Sequence, residues 1–139
     1  MITVNRSVTL KQAKRGRRRI TTGDPQPPGS PVQRVPRIAR LMALAIRFDD
    51  LLRSGRVADV TTLARLSHVT QPRMTQILAL NLLAPDIQEE LLHLPPTEVG
   101  KDPIHEKILR PLAAETDWQW QRQMWRELKS SATGRQNAR

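Results

Sequence analysis

From Ile38 onward apolar residues return at alternating three- and four-residue spacing, at Ile38, Leu41, Ala45, Phe48 and Leu52. This period places them on one face of an α-helix. Pro36 stands where that helix starts, a position at which a missing N–H is harmless, and Ser54-Gly55 supplies a stop, because glycine readily takes the left-handed cap conformation. The pattern then shortens. Helices are expected over 61–66 and 71–80, separated by Ser67-His68-Val69-Thr70, with Thr70 as N-cap of the second and Pro72 tolerated in its first turn. Pro85 opens a fourth helix carrying Ile87, Leu91 and Leu94 on one side, and Pro95-Pro96 ends it. A last helix is expected from Pro111 or Leu112 to about Lys129. On it Trp118, Trp120, Met124, Trp125 and Leu128 cover one arc, as core or as a dimer face, with Arg122, Arg126 and Lys129 opposite. No run alternates cleanly and Tyr is absent, so the expected fold class is all-α, a small helical domain.

Before this domain the apolar pattern disappears. Residues 11–19 read KQAKRGRRR and residues 23–31 read GDPQPPGSP, a basic run and a proline-rich stretch that cannot bury enough surface to offset the entropy of ordering. The expected organisation is a disordered basic and Pro-rich arm over 1–33, a helical domain over 34–130 and a disordered tail over 131–139. Charge divides the same way. The first 40 residues hold ten Arg or Lys against one acid, Asp24, whereas the remainder holds 13 basic against 12 acidic residues. The formal net charge of +10 is therefore largely the property of an arm, and residues 41–139 are close to neutral.

Residues 60–80 carry a further pattern. Two short helices crossing at a tight turn need small or apolar residues where they touch, and Leu63, Ala64 and Val69 supply them, while Met74, Ile77 and Leu78 face the core. Thr70, Gln71, Pro72, Arg73, Thr75, Gln76 and Ala79 are left for the N-terminus and outer face of the second helix, with no Asp or Glu among them. Arg can grip guanine O6 and N7, Gln can pair with adenine N6 and N7, and Thr offers a hydroxyl and a methyl to thymine. Arg56 and Arg65 are better placed for phosphates. This is a helix-turn-helix in which Thr70, Gln71, Arg73, Thr75 and Gln76 are the candidate DNA-reading residues. His68 stands where such turns usually hold Gly, so a strained or altered turn is expected there.

The run VTTLARLSHVTQPRMTQILALNLLAPDIQEELLHL, residues 60–94, resembles the helix-turn-helix region of the ParB and KorB partition proteins, including the Leu-Leu-x-Pro at Leu82 to Pro85 and the acidic amphipathic helix after it. The match covers about 35 residues, or about 60 with the preceding helix. What the resemblance implies is DNA binding by Thr70, Gln71, Arg73, Thr75 and Gln76. It does not extend to CTP hydrolysis or sliding, because the nucleotide-binding domain that precedes this region in the partition proteins is not expected ahead of it here. Arg15, Arg17, Arg18 and Arg19 echo that domain's arginine motif superficially, and are read as an arm that contacts phosphate or enters a minor groove.

Catalysis finds no support. His68, His93 and His105 share no ligand spacing, there is no Cys, no Gly-rich loop cradles a phosphate, and no Ser has a nearby His with a carboxylate partner. Without Tyr a tyrosine recombinase nucleophile is excluded. No metal or cofactor is expected, and no apolar run approaches the roughly 18 residues of a membrane span. The expected function is sequence-specific binding of double-stranded DNA by a non-enzymatic regulator or accessory factor of a mobile element or replicon, cytoplasmic and nucleoid-associated. The alternatives are a protein-interaction module or homodimer acting through the Trp118/Trp125 helix to recruit a recombinase, partition or transcription partner, and an RNA-binding protein.

Overall fold

The computed structural model describes residues 3, 8–12, 18–22, 32–98 and 102–137, with 8–12, 18–22 and 135–137 described by backbone alone. The chain divides into two units, residues 1–31 and 32–139.

In the first unit β1 (Val8–Gln12) pairs antiparallel with β2 (Arg18–Thr22), Val8 opposite Thr22 and Gln12 opposite Arg18. No strand was expected here. Averaging composition over the arm hides two short runs rich in β-branched residues, Val8-Thr9-Leu10 and Ile20-Thr21-Thr22, whose side chains suit an extended backbone.

The second unit holds six helices among the described residues. α1 (Arg37–Arg53) begins after Pro36 and buries Ile38, Ala39, Met42 and Ala45. It stops at Gly55, whose φ of 71° is the left-handed cap and whose N–H donates to the Leu52 carbonyl at 3.2 Å. α2 (Val60–Leu66) is capped by Asp59, which accepts from the Thr62 N–H at 2.7 Å. α3 (Gln71–Leu78) runs into a 3-10 turn over Ala79–Leu82, and α4 (Pro85–Leu92) follows. A short pairing of β3 (Gln33–Arg34) with β4 (Thr97–Glu98) ties the start of this unit to the segment after α4. Asp102 locks it, accepting from Thr97 Oγ1 at 2.7 Å and from Arg34 at 3.0 Å.

Two apolar clusters result. The larger joins Ile38, Met42 and Ala45 of α1 to Ile77, Leu80, Leu83, Ala84, Ile87 and Leu91, and takes in Leu109, Leu112 and Trp125 from the C-terminal helices. The smaller contains Val57, Leu63, Ala64 and Met74. Among the described residues Phe48 is the one side chain packed against both.

The C-terminal region departs from expectation. Pro111 lies inside α5 (Glu106–Ala114) instead of opening a helix, and α6 (Trp118–Asn137) continues through most of the stretch expected to be a tail. The break between them follows from Asp117, whose carboxylate accepts from the Gln119 N–H at 2.8 Å, as an N-cap does. The expected tryptophan arc is also rotated. Trp125 is buried, whereas Trp118 and Trp120 are 48% and 55% exposed, and the position facing inward with Trp125 is Gln121. Gln121 is fully buried because its amide matches three backbone groups. It accepts from the Ala84 N–H at 2.8 Å and donates to the carbonyls of Glu115 and Leu82, at 2.6 and 3.1 Å. An apolar residue there would orphan all three, which is why a glutamine wins an inward position over its exposed tryptophan neighbours.

No described helix is long and apolar enough to cross a membrane.

Candidate nucleic-acid interface

α2 and α3 are joined by a turn of four residues, Ser67 to Thr70, with Leu63 and Ala64 of the first helix buried against Met74 of the second. Ala64 does two things at this contact. It leaves room for the neighbouring helix, and its carbonyl accepts from the Val69 N–H at 3.1 Å, closing the turn. His68 reaches a φ of 55°, so the turn takes the left-handed conformation that glycine ordinarily supplies, with an imidazole in its place.

Thr70 caps α3 as expected, its hydroxyl accepting from the Arg73 N–H at 3.4 Å. Gln71, Pro72 and Thr75 are exposed along the first turns, and the Thr75 hydroxyl donates to the Gln71 carbonyl at 3.1 Å. Behind them Met74 and Ile77 are buried, so helical geometry commits Gln71, Thr75 and their neighbours to the outer side. Arg65 on α2 and Arg56 in the loop before it are exposed and have no ion pair among the described residues.

Arg73 and Gln76 are placed differently. Both are half-buried and joined to α5. Arg73 Nη1 donates to Glu106 Oε2 at 2.9 Å and to Gln76 Oε1 at 3.3 Å. Arg110 grips the same carboxylate through Nε and Nη2, at 2.7 and 3.1 Å, and its Nη2 also reaches Gln76 Oε1 at 3.1 Å. The Glu106 side chain is only 11% exposed between the two guanidiniums. The hydrogen bond from Arg110 is the main force holding its pKa below the ordinary glutamate value; burial opposes it and Arg73 adds to it. α3 itself presents no acid, but α5 brings one to its edge. Nothing local in the sequence marks Glu106 or Arg110 as neighbours of Arg73, since they lie 33 or more residues away. A groove of about 600 Å³ runs from Arg73 and Glu106 to the start of α1, where Arg37 and Asp102 line it over an apolar floor of Ile38 and Leu41.

Two other expected features are placed only in part. Arg18 and Arg19 lie in β2, described by backbone alone, and Arg15 and Arg17 lie outside the described residues. On α6, Arg122 and Lys129 are not a free basic face. Arg122 forms a two-pronged pair with Asp86 at 2.9 and 3.0 Å, and Lys129 reaches Glu90 at 2.6 Å while lying 5.5 Å from the Trp125 ring centre. Trp125 Nε1 donates to that same Glu90 at 2.9 Å.

No protein-family model, curated protein or solved structure matches this chain.

Proposed function

We propose that the chain binds double-stranded DNA through α2 and α3 as a helix-turn-helix, α3 entering the major groove and Arg56 and Arg65 meeting phosphates. The observation that carries the reading is the outer face of α3. It is free of acids on the helix itself, exposed from its N-terminus at Gln71 and Thr75, and rigidly backed by Met74 and Ile77. The resemblance of residues 60–94 to the partition-protein motif and the positive charge of the arm support the same reading. A regulator or accessory factor of a replicon or mobile element fits a surface that offers groups able to meet bases and phosphates.

The test is selection of bound sites from a random duplex pool with the whole chain. A defined site should emerge, and Arg73→Ala should relax preference at one or two of its positions, a loss of roughly 1–3 kcal/mol for a good bidentate contact. Unselective binding, or a site indifferent to Arg73, would count against the proposal.

A second reading is favoured by one observation. Trp118, Trp120 and Leu82 are exposed, and Leu82 is joined to α6 through Gln121. Two residues apart on one helix, the two tryptophans point to different sides, and each is an exposed amphipathic ring suited to a protein partner or a second copy. Replacing Trp118 and Trp120 with Ala should then alter association in analytical ultracentrifugation while leaving duplex affinity unchanged.

A further inference from the structure

The two α3 side chains best suited to reading bases are both held, and the manner of holding restricts what they can read. Arg73 uses Nη1 for Glu106 and Gln76. Its Nε and Nη2 donate to nothing among the described residues. Those two atoms form the planar fork that matches the paired acceptors O6 and N7 of guanine. Gln76 is held in the opposite sense. Its Oε1 accepts from Arg73 at 3.3 Å and from Arg110 at 3.1 Å, and two cationic donors dictate which end of the amide faces them. Only the amide nitrogen is left for a ligand. A glutamine reads adenine by using both ends, the oxygen accepting from N6–H and the nitrogen donating to N7. Gln76 has lost the accepting end. Thr75, next to it, has committed its hydroxyl hydrogen to the Gln71 carbonyl.

We propose that Glu106 and Arg110 of α5 set the base preference of α3, turning Arg73 and Gln76 into a surface of donors that selects guanine and rejects adenine. The proposal rests on the DNA-binding reading above and names the class of site that reading would recognise. Glu106 is a positioning residue: it meets Arg73 on the edge of the guanidinium away from the fork. Fixing a long side chain before binding also lowers the entropy lost on contact. The cluster keeps one net positive charge, two guanidiniums against one carboxylate, so it remains compatible with the phosphate backbone. Arg110, 48% exposed at its side chain, orients Gln76 and stands beside α3 on the same surface.

Selection from a random duplex pool tests this with the whole chain and with Glu106→Asp, which keeps the charge at the start of α5 but withdraws the carboxylate by one methylene. The wild type should enrich guanine at the positions that Arg73→Ala and Gln76→Ala release. Glu106→Asp should lower the discrimination between guanine and adenine at those positions by roughly tenfold, while affinity for random duplex at low salt stays within about twofold. Should the aspartate variant fail to fold, Glu106→Gln tests the base preference in the same way, with affinity for random duplex expected to rise because a negative charge is removed. A merely structural role for Glu106 would lower the melting temperature and leave the base preference intact, and that result overturns the proposal. Enrichment of adenine opposite Gln76 by the wild type overturns it without any variant. Failure of the wild type to bind any duplex defeats the DNA reading itself, so the two failures are told apart.

Discussion

His68 shows how much one side chain can cost a turn. A left-handed backbone costs a residue with a β-carbon about 1–2 kcal/mol, whereas glycine adopts it freely but loses about 0.5–1 kcal/mol of chain entropy on folding. His68→Gly should therefore stabilise the protein by about 0.5–1 kcal/mol, raising the melting temperature by a few degrees for a domain of this size. Calorimetry on the two proteins checks this, and a variant that melts lower would mean that the imidazole makes an interaction outweighing the backbone strain. Gly55 occupies the same backbone region at the end of α1 with no such conflict, and a β-carbon there would meet no atom within 4 Å. Only its φ argues for glycine.

At the scale of elements, α6 and α5 are joined to the rest of the second unit by apolar contact together with carboxylates. Trp125 is the buried apolar anchor of α6; truncating a buried tryptophan costs about 3–5 kcal/mol, and exposed ion pairs add little beside it. The carboxylates nevertheless give the assembly a pH dependence. The hydrogen bond from Lys129 leads in holding the Glu90 pKa down, and that from Arg122 leads for Asp86. For Asp102 burial is the largest influence and pushes upward, but bonds from Thr97, Arg34 and the Arg37 N–H together outweigh it. Groups whose pKa is depressed by folding contribute stability that is fully present above their ordinary values, 4.5 for Glu90 and Glu106 and 3.8 for Asp86 and Asp102, and that is lost as pH falls below them. Urea midpoints should accordingly be level near neutrality and decline progressively below about pH 4.5. A midpoint that rose with acid would contradict the observed pairings.

Much of the element pattern was legible in the sequence because it rests on local rules. The three- and four-residue spacing in α1, the Thr70 cap and the proline that opens α4 each act within a turn or two. The C-terminal elements were less legible. Pro111 reads locally as a helix start, and the burial of Gln121 depends on the Leu82 carbonyl and the Ala84 N–H, 39 and 37 residues away, which only the folded chain brings within reach. The same holds for the site. The outer face of α3 follows from helical period, whereas its attachment to Glu106 and Arg110 is a tertiary contact without a local signature.

For the whole molecule, the uneven distribution of charge would separate the proposed DNA binding into two contributions. Ten of the 23 basic residues fall in the first 40 positions. Removing residues 1–31 should weaken binding to every duplex sequence alike and flatten the dependence of affinity on salt, because each lost phosphate contact releases about one fewer counterion. Titrations of the full and shortened chains at several salt concentrations check this, and an unchanged slope would mean that the arm meets no phosphate. The preferred site should survive the truncation, since α3 is untouched by it.

Phe48, the only phenylalanine in the chain, packs against both apolar clusters. The smaller cluster, which supports α2 and the turn, has four buried members and would be marginal by itself. Sharing one aromatic ring with the larger cluster makes the two cooperative. Amides of α2 and α3 should then exchange with solvent only when the domain opens as a whole, so that the surface offered to a partner keeps its shape for as long as the protein stays folded.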